Sequence, residues 1–209
     1  IDFDCEHFGQ PANNGQMIEE FNARSKAPQA FRDIAMALAH RKEIKVENID
    51  PLGSIGIIRS NQLQPPFNNA KMRQALLHVV NQRDYLLAIA GDEKNGKPCA
   101  SFFTCGTPMA NDVGSDVLKG ARSVDKAKAL VKESGYNGEK VIVISATDQP
   151  IVHSQALLTT ELLRQIGVNV ELAASDWGTL LNRRASKEPA DKGGWSIFHT
   201  WLVGPDVTN

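Results

Sequence analysis

Apolar residues recur along this chain with two periods, and the places where the period changes mark out its elements. In Pro65 to Leu87, PPFNNAKMRQALLHVVNQRDYLL, the residues Met72, Ala75, Leu76, Val79 and Val80 return at steps of three and four. That spacing turns one apolar stripe toward a core and leaves Lys71, Arg73 and Gln74 on the other side of a helix. Pro65 and Pro66 stop the extended run that precedes them, which is carried by Ile55, Ile57 and Ile58. Asn68 or Asn69 offers a side-chain oxygen to the free amides of the helix start. Asn81 then caps a second helix, Gln82 to Ala90, closed by Gly91.

Residues 1–28 are broken by Gly9, Pro11, Asn13, Asn14, Gly15 and Pro28, and leave room for only a short helix around Gln16 to Ala23. Phe31, Ile34, Ala35 and Leu38 predict a helix over Gln29 to Ala39, and Ile44, Val46 and Ile49 a strand, before Pro51 and Gly53 turn the chain. From Gly91 to Gly120 few residues are periodic, so a long connection is expected; its Phe102, Phe103 and Met109 need a surface to cover or a ligand to touch. Ser123 caps a helix on Val124, Ala127, Leu130 and Val131 that Gly135 ends, and Val141 to Ile144 reads as a strand covered on both faces. A helix from Pro150 to Ile166, stopped by Gly167, precedes a strand in which Val168, Val170 and Leu172 alternate with Asn169 and Glu171. Ser175 or Asp176 caps the helix holding Leu180, Leu181 and Arg184, and Trp195 to Trp201 forms the last strand. Strand, helix, strand at short spacing implies parallel crossovers, hence an α/β fold with a mostly parallel sheet flanked by helices. Ligands of such sheets sit beyond the carboxyl ends of the strands, here Ser145 to Gln149, Ala173 to Asp176 and Thr200 to Asp206.

Composition narrows the function by exclusion. The 209 residues, 42% hydrophobic, suffice for one good core or two small ones. With 23 basic and 24 acidic residues there is no global field to attract nucleic acid or an anionic membrane. No apolar run approaches the ~20 residues that span a bilayer. The chain opens at Ile1 without a leader and ends abruptly in GPDVTN, so we read it as a piece of a longer protein, truncated at both ends. Of the cysteines Cys5, Cys99 and Cys105, the last two flank five residues, a spacing that permits either a tight disulfide or two reduced buried thiols. A bridge would fit an oxidising compartment.

Positive signs of catalysis are thin. Asp2, Asp4, Cys5, Glu6 and His7 crowd metal-capable groups together but match no established ligand spacing. His40, His78, His153 and His199 are scattered, and His78, beside its apolar stripe, is expected to be partly buried packing. A metal- or thiol-dependent hydrolase using the Asp2 to His7 cluster or a free Cys99 is the alternative reading. No catalytic residue, metal ligand or cofactor is assigned. Trp177 follows a helix cap and Trp201 ends a strand, where aromatic rings suit a pocket closed around a solute as well as they suit a core. Arg184 lies two turns after Trp177 on the same helical face, placed to set a guanidinium near that ring or to form a surface salt bridge.

A strand followed by PPFNNAKMRQAL and the N-x-R-D-x-L of Asn81 to Leu86 resembles the signature of the extracellular solute-binding proteins, family 5, of peptide and nickel ABC importers. SVDKAKALVKESGY, LLTTELLRQIGVNVELAASDWGTLLNRR and WSIFHTWLVGPDVTN resemble the same family in the same order, together covering Gln29 to Asn209. The resemblance implies a type II periplasmic binding protein-like lobe over 29–209, the C-terminal half of a two-lobed clamp. It implies a periplasmic protein that takes a small solute, peptide-like or opine-like, and hands it to ABC permease subunits. It also implies that Trp177, Arg184 and Trp201 line the solute cavity. Three residues after the last Trp, where peptide binders carry an Asp for the peptide's amino terminus, this chain has Gly204, and Asp206 comes two residues later. The family's anchor for a free α-ammonium is therefore missing from its usual place.

Overall fold

The computed structural model describes residues 52–92 and 96–203. The expectations for residues 1–28, for the helix from Gln29 and the strand at Ile44, for the Asp2 to His7 cluster, and for Gly204 to Asp206 lie outside those residues.

Strand β1, Ser54–Ser60, carries the Ile55, Ile57, Ile58 run up to Asn61, and a cis Pro65–Pro66 bond follows. Helix α1, Ala70–Val79, begins at Asn69, the second of the two candidate caps, whose side chain accepts from the Lys71 amide at 2.9 Å. Met72, Ala75, Leu76 and Val79 of its stripe are buried, and Val80 becomes the C-cap. Helix α2, Gln82–Ala90, starts at Asn81 and ends at Gly91, whose φ of 67° is the left-handed turn that only a residue without Cβ adopts freely. Within the long connection, α3, Asp116–Lys119, is a single short turn of helix that few periodic residues announce.

Helix α4, Val124–Glu133, is capped by Ser123, with Gly135 just past its end. It lies against α1, and the pair is tied at both ends: the Ser123 amide donates to the His78 carbonyl at 3.0 Å, and Asn69 Nδ2 donates to the Ser134 carbonyl at 3.0 Å. Strand β2, Val141–Ala146, is buried at every position, as its unbroken apolar run requires. Helix α5, Pro150–Gln165, has Pro150 in its first turn and Ile166 as C-cap ahead of Gly167. Strand β3, Val170–Ser175, starts two residues later than the alternation from Val168 suggests, because Val168 caps the preceding turn by donating its amide to the Leu163 carbonyl at 3.1 Å. Helix α6, Trp177–Arg184, is capped by Asp176, which accepts from the Thr179 amide at 3.0 Å.

The last strand, β4, is Ile197–Val203, shifted from the expected Trp195 to Trp201. Past the last paired residues, Ser60 and Ile197, the Asn61 amide donates to the Ser196 carbonyl at 2.8 Å in the same register, and the Asn61 Nδ2 donates to the Trp195 carbonyl at 3.0 Å, so a side-chain bond takes over at Trp195 and the strand starts later.

The sheet order is β1-β4-β2-β3. β2 runs parallel to both β3 and β4, and β1 pairs antiparallel with β4 at the edge, so the sheet is mostly parallel with one reversed border. Val141, Val143 and Ile197 face a cluster built with Phe67, Met72, Ala75, Val79, Ala156 and Leu163. Ile142, Ile144, Ala146 and Phe198 belong to a second cluster with Leu180 of α6. Each fully buried Leu, Ile or Phe removes apolar area worth roughly 1.5–3 kcal/mol from water.

One buried polar chain crosses the first cluster. Tyr85 Oη lies 2.7 Å from Thr159 Oγ1, which lies 2.8 Å from His199 Nε2. Burial pushes the Tyr85 phenol up to about 12 and the His199 imidazole down to about 3, so both are neutral near pH 7.

Candidate functional site

The carboxyl ends of β2, β3 and β4 come together at one end of the sheet. There the Asp148 carboxylate accepts from the Trp177 amide at 2.9 Å, fixing the start of α6 against the loop that leaves β2. The Asp176 cap works from the other side, and its hydrogen bonds with Thr179 hold the Asp176 carboxyl below its ordinary value. Trp177 is thus set on the first turn of a helix pinned at two points.

From it runs a continuous row of rings. Trp177 stacks on Trp201 with centroids 6.2 Å apart and planes 30° from parallel. Trp177 also meets Phe198 at 6.2 Å, and Phe198 meets Trp195 edge-on at 6.4 Å. Trp195 Nε1 donates to the Arg184 carbonyl at 2.8 Å, which fastens the far end of the row to the last turn of α6. The Arg184 guanidinium carbon stands 5.3 Å from the Phe198 centroid. It lies over Phe198, one ring further along than the Trp177 that helical periodicity suggests, and it enters no salt bridge among the described residues.

The structure brings Trp177 and Trp201 into direct contact and joins Arg184 to them through Phe198. Trp177 and Trp201 are half-buried, Arg184 is exposed, and Phe198 is fully covered. Beside the row lies a hollow of ≈ 260 Å³ lined by Arg59, Arg184, Trp195 and Phe198. Sequence reasoning passed over Phe198 and Arg59, since neither lies at a strand end or cap. The signal that places them is the antiparallel β1–β4 register, in which Arg59 stands opposite Phe198.

Cys99 and Cys105 are bridged, with Cα atoms 5.9 Å apart, and the closed loop is clamped to α2 by Gln82. Gln82 Nε2 donates to the Cys99 carbonyl at 2.7 Å, and its Oε1 accepts from the Cys99 amide at 2.9 Å. His153 Nδ1 lies 2.8 Å from Ser145 Oγ, but Ser145 is fully buried within β2, so the pair packs strand to helix and offers no exposed nucleophile.

The profile of the bacterial extracellular solute-binding proteins, family 5 Middle, matches residues 23–206. The chain belongs to that family. A probable peptide ABC transporter periplasmic-binding protein of Sinorhizobium fredii is 40% identical to this family 5 chain over 168 residues, 80% of the chain and 32% of the relative. A glutathione-binding protein of Pectobacterium atrosepticum is 30% identical over 161 residues, 71% of the chain and 30% of the relative. Among solved structures, an ABC transporter substrate-binding protein of Listeria monocytogenes superposes with a TM-score of 0.62 at 27% identity, over 73% of the chain and 30% of that protein. The chain therefore spans about a third of the length of the family 5 relatives it matches. Its mixed sheet flanked by helices is the α/β arrangement of the periplasmic binding proteins, as expected from the order of elements. No helix among the described residues is long and apolar enough to cross a membrane.

Proposed function

We propose that this chain is the C-terminal ligand-binding lobe, residues 29–209, of a periplasmic two-lobed protein that grips a small, peptide-like solute and presents it to the permease of an ABC importer. The observation that carries the reading is the Trp177–Trp201 stack, set toward the carboxyl end of the parallel strands, where α/β sheets receive ligands. Indoles give large contact area at low conformational cost and tolerate varied side chains, which suits a carrier of related solutes. In this reading Trp177, Arg184 and Trp201 are the solute-contacting residues of the lobe. Closing a second lobe over the row stabilises the closed state through contacts to both halves at once, so the intact protein binds more tightly than either half. The Cys99–Cys105 bridge is in keeping with an oxidising compartment. The hydrolase reading loses its candidate thiol, because the Cys99 sulfur is bonded to Cys105.

The test is calorimetry on the full-length protein with a random tripeptide mixture. Saturable binding, weakened at least tenfold by Trp177→Ala or Trp201→Ala while the melting temperature changes by only a few degrees, is the expected result. Binding that survives both substitutions unchanged would refute the assignment of the ring row to solute contact.

A further inference from the structure

Phe102 has no part in the ring row: it is 83% exposed and stands midway between the two bridged cysteines. It meets its neighbour Phe103 edge-on at 5.3 Å. The loop that carries it is held at several points. The Ser101 hydroxyl accepts from the amides of Phe103 and Asn111, both at 3.2 Å, and Ser115 Oγ donates to the Ala100 carbonyl at 2.7 Å.

The two halves of the bridge have different surroundings. Cys105 is exposed and forms part of the wall of an open hollow of ≈ 370 Å³, with Gly106, Ala110 and Asn111, and the glycine that follows it carries no side chain to screen the sulfur. Asp112 also borders the hollow, but Lys119 neutralises its carboxylate at 2.7 Å. Cys99 is half-buried and takes no part in the wall. Gln82 holds its amide and its carbonyl, and its Sγ lies 3.9 Å from the Phe103 carbonyl oxygen. Thiol–disulfide exchange proceeds by attack of a thiolate on one of the two sulfurs, at a rate that depends on access. Access here favours Cys105.

We infer that the Cys99–Cys105 bridge is an exchange site for a protein dithiol, entered at Cys105, with Phe102 as the contact that docks the protein reagent. The reagent's thiolate forms a bond to Cys105 Sγ as the Cys99–Cys105 bond breaks, and the electron pair leaves with Cys99 Sγ. Cys99 then takes a proton from water, and the Phe103 carbonyl accepts its S–H. The reagent's second thiolate attacks its own first sulfur and releases Cys105, so two electrons and two protons pass from the dithiol to the bridge. Run backwards from an oxidised dithiol, the same mixed disulfide at Cys105 installs the bridge. A small thiol has no use for Phe102, whereas a protein whose reactive cysteine is set in an apolar surface covers the ring as it docks.

The experiment uses the full-length protein carrying Cys5→Ser and two probes: reduced glutathione, and thioredoxin whose second active-site cysteine is replaced by serine so that the mixed disulfide is trapped. After acid quenching and alkylation, peptide mass spectrometry should find each probe on Cys105, with Cys99 alkylated, in about tenfold excess over the reverse arrangement. Phe102→Ser should slow the trapping of thioredoxin about tenfold, the effect of losing one covered aromatic contact, and leave the glutathione rate unchanged. A thermal melt confirms that this variant is folded. Equal labelling of the two cysteines, or no adduct under conditions in which the urea-unfolded protein reacts, would overturn the exchange site. Trapping of thioredoxin by Phe102→Ser at the wild-type rate would overturn the docking contact. Neither result touches the solute-binding reading, which the tripeptide titration tests separately.

Discussion

The two faces of this sheet are covered to different degrees. On one, α1, α4 and α5 interlock over Val141, Val143 and Ile197, and the aliphatic side chains between them are shut away from water. On the other, the eight residues of α6 and a set of indoles are what lies over Ile142, Ile144 and Phe198, and the hollow is the part they do not fill. A fully packed face resists deformation because interiors at crystal-like density tolerate little displacement. That rigidity is what allows the other face to hold aromatic rings and cations at fixed spacing while staying open.

Perturbing each face in turn separates scaffold from site. The largest effect is expected for Leu163→Ala on the closed face, where a side chain with 0% exposure leaves a cavity. Denaturant unfolding should show a loss of about 2–5 kcal/mol, with solute affinity per folded molecule unchanged; a loss of affinity at unchanged stability would break the division between faces.

Next comes acid. The His199 imidazole is buried neutral, its pKa lowered to about 3 from 6.5. Below pH 6.5 the unfolded chain takes up a proton that the folded chain refuses, so the unfolded state binds more protons and stability falls as pH falls, down to about pH 3. The effect is at most a few kcal/mol, and His199→Leu should flatten that part of the stability–pH curve. An unchanged slope in the variant would show that the histidine is not the titrating group.

Reduction of the Cys99–Cys105 bridge is a smaller perturbation, about 2 kcal/mol in the chain-entropy account. It should appear as a lower melting temperature, with the ring-row fluorescence retained until the melt. Trp177→Ala removes a half-buried indole, and its pairing with two rings adds about 1 kcal/mol to the area it loses, a loss of stability expected to stay below that of Leu163→Ala. The same change should carry the largest loss of solute affinity, and a crossed ranking of stability against affinity is what the two-face comparison requires.

The closed face was largely legible in the sequence because helices declare themselves locally. The Met72 to Val79 stripe, the Asn81 and Ser123 caps and the Gly91 stop each depend on residues within a turn or two. The open face depends on partners far apart in the chain. The positions of Trp177 and Trp201 at a cap and a strand end suggested a shared location, and the stack realises one. Phe198 between them and Arg184, and Arg59 beside it, follow from a strand pairing that joins residues more than a hundred positions apart, which no local period encodes. The boundary of β4 lies later than its apolar run suggests for the same reason, since it is set by pairing with β1 and by the Asn61 side chain on the Trp195 carbonyl.

β4 serves both faces by alternation: Ile197 and His199 look toward α5, and Phe198 toward α6. A slip of one residue would drive a phenyl ring into the slot of a buried imidazole and carry the imidazole to the opposite face, away from Thr159. The strand is therefore locked against ratcheting along its neighbours. Trp177 and Arg184, carried on α6, can therefore change side-chain torsion without moving the strand beneath them.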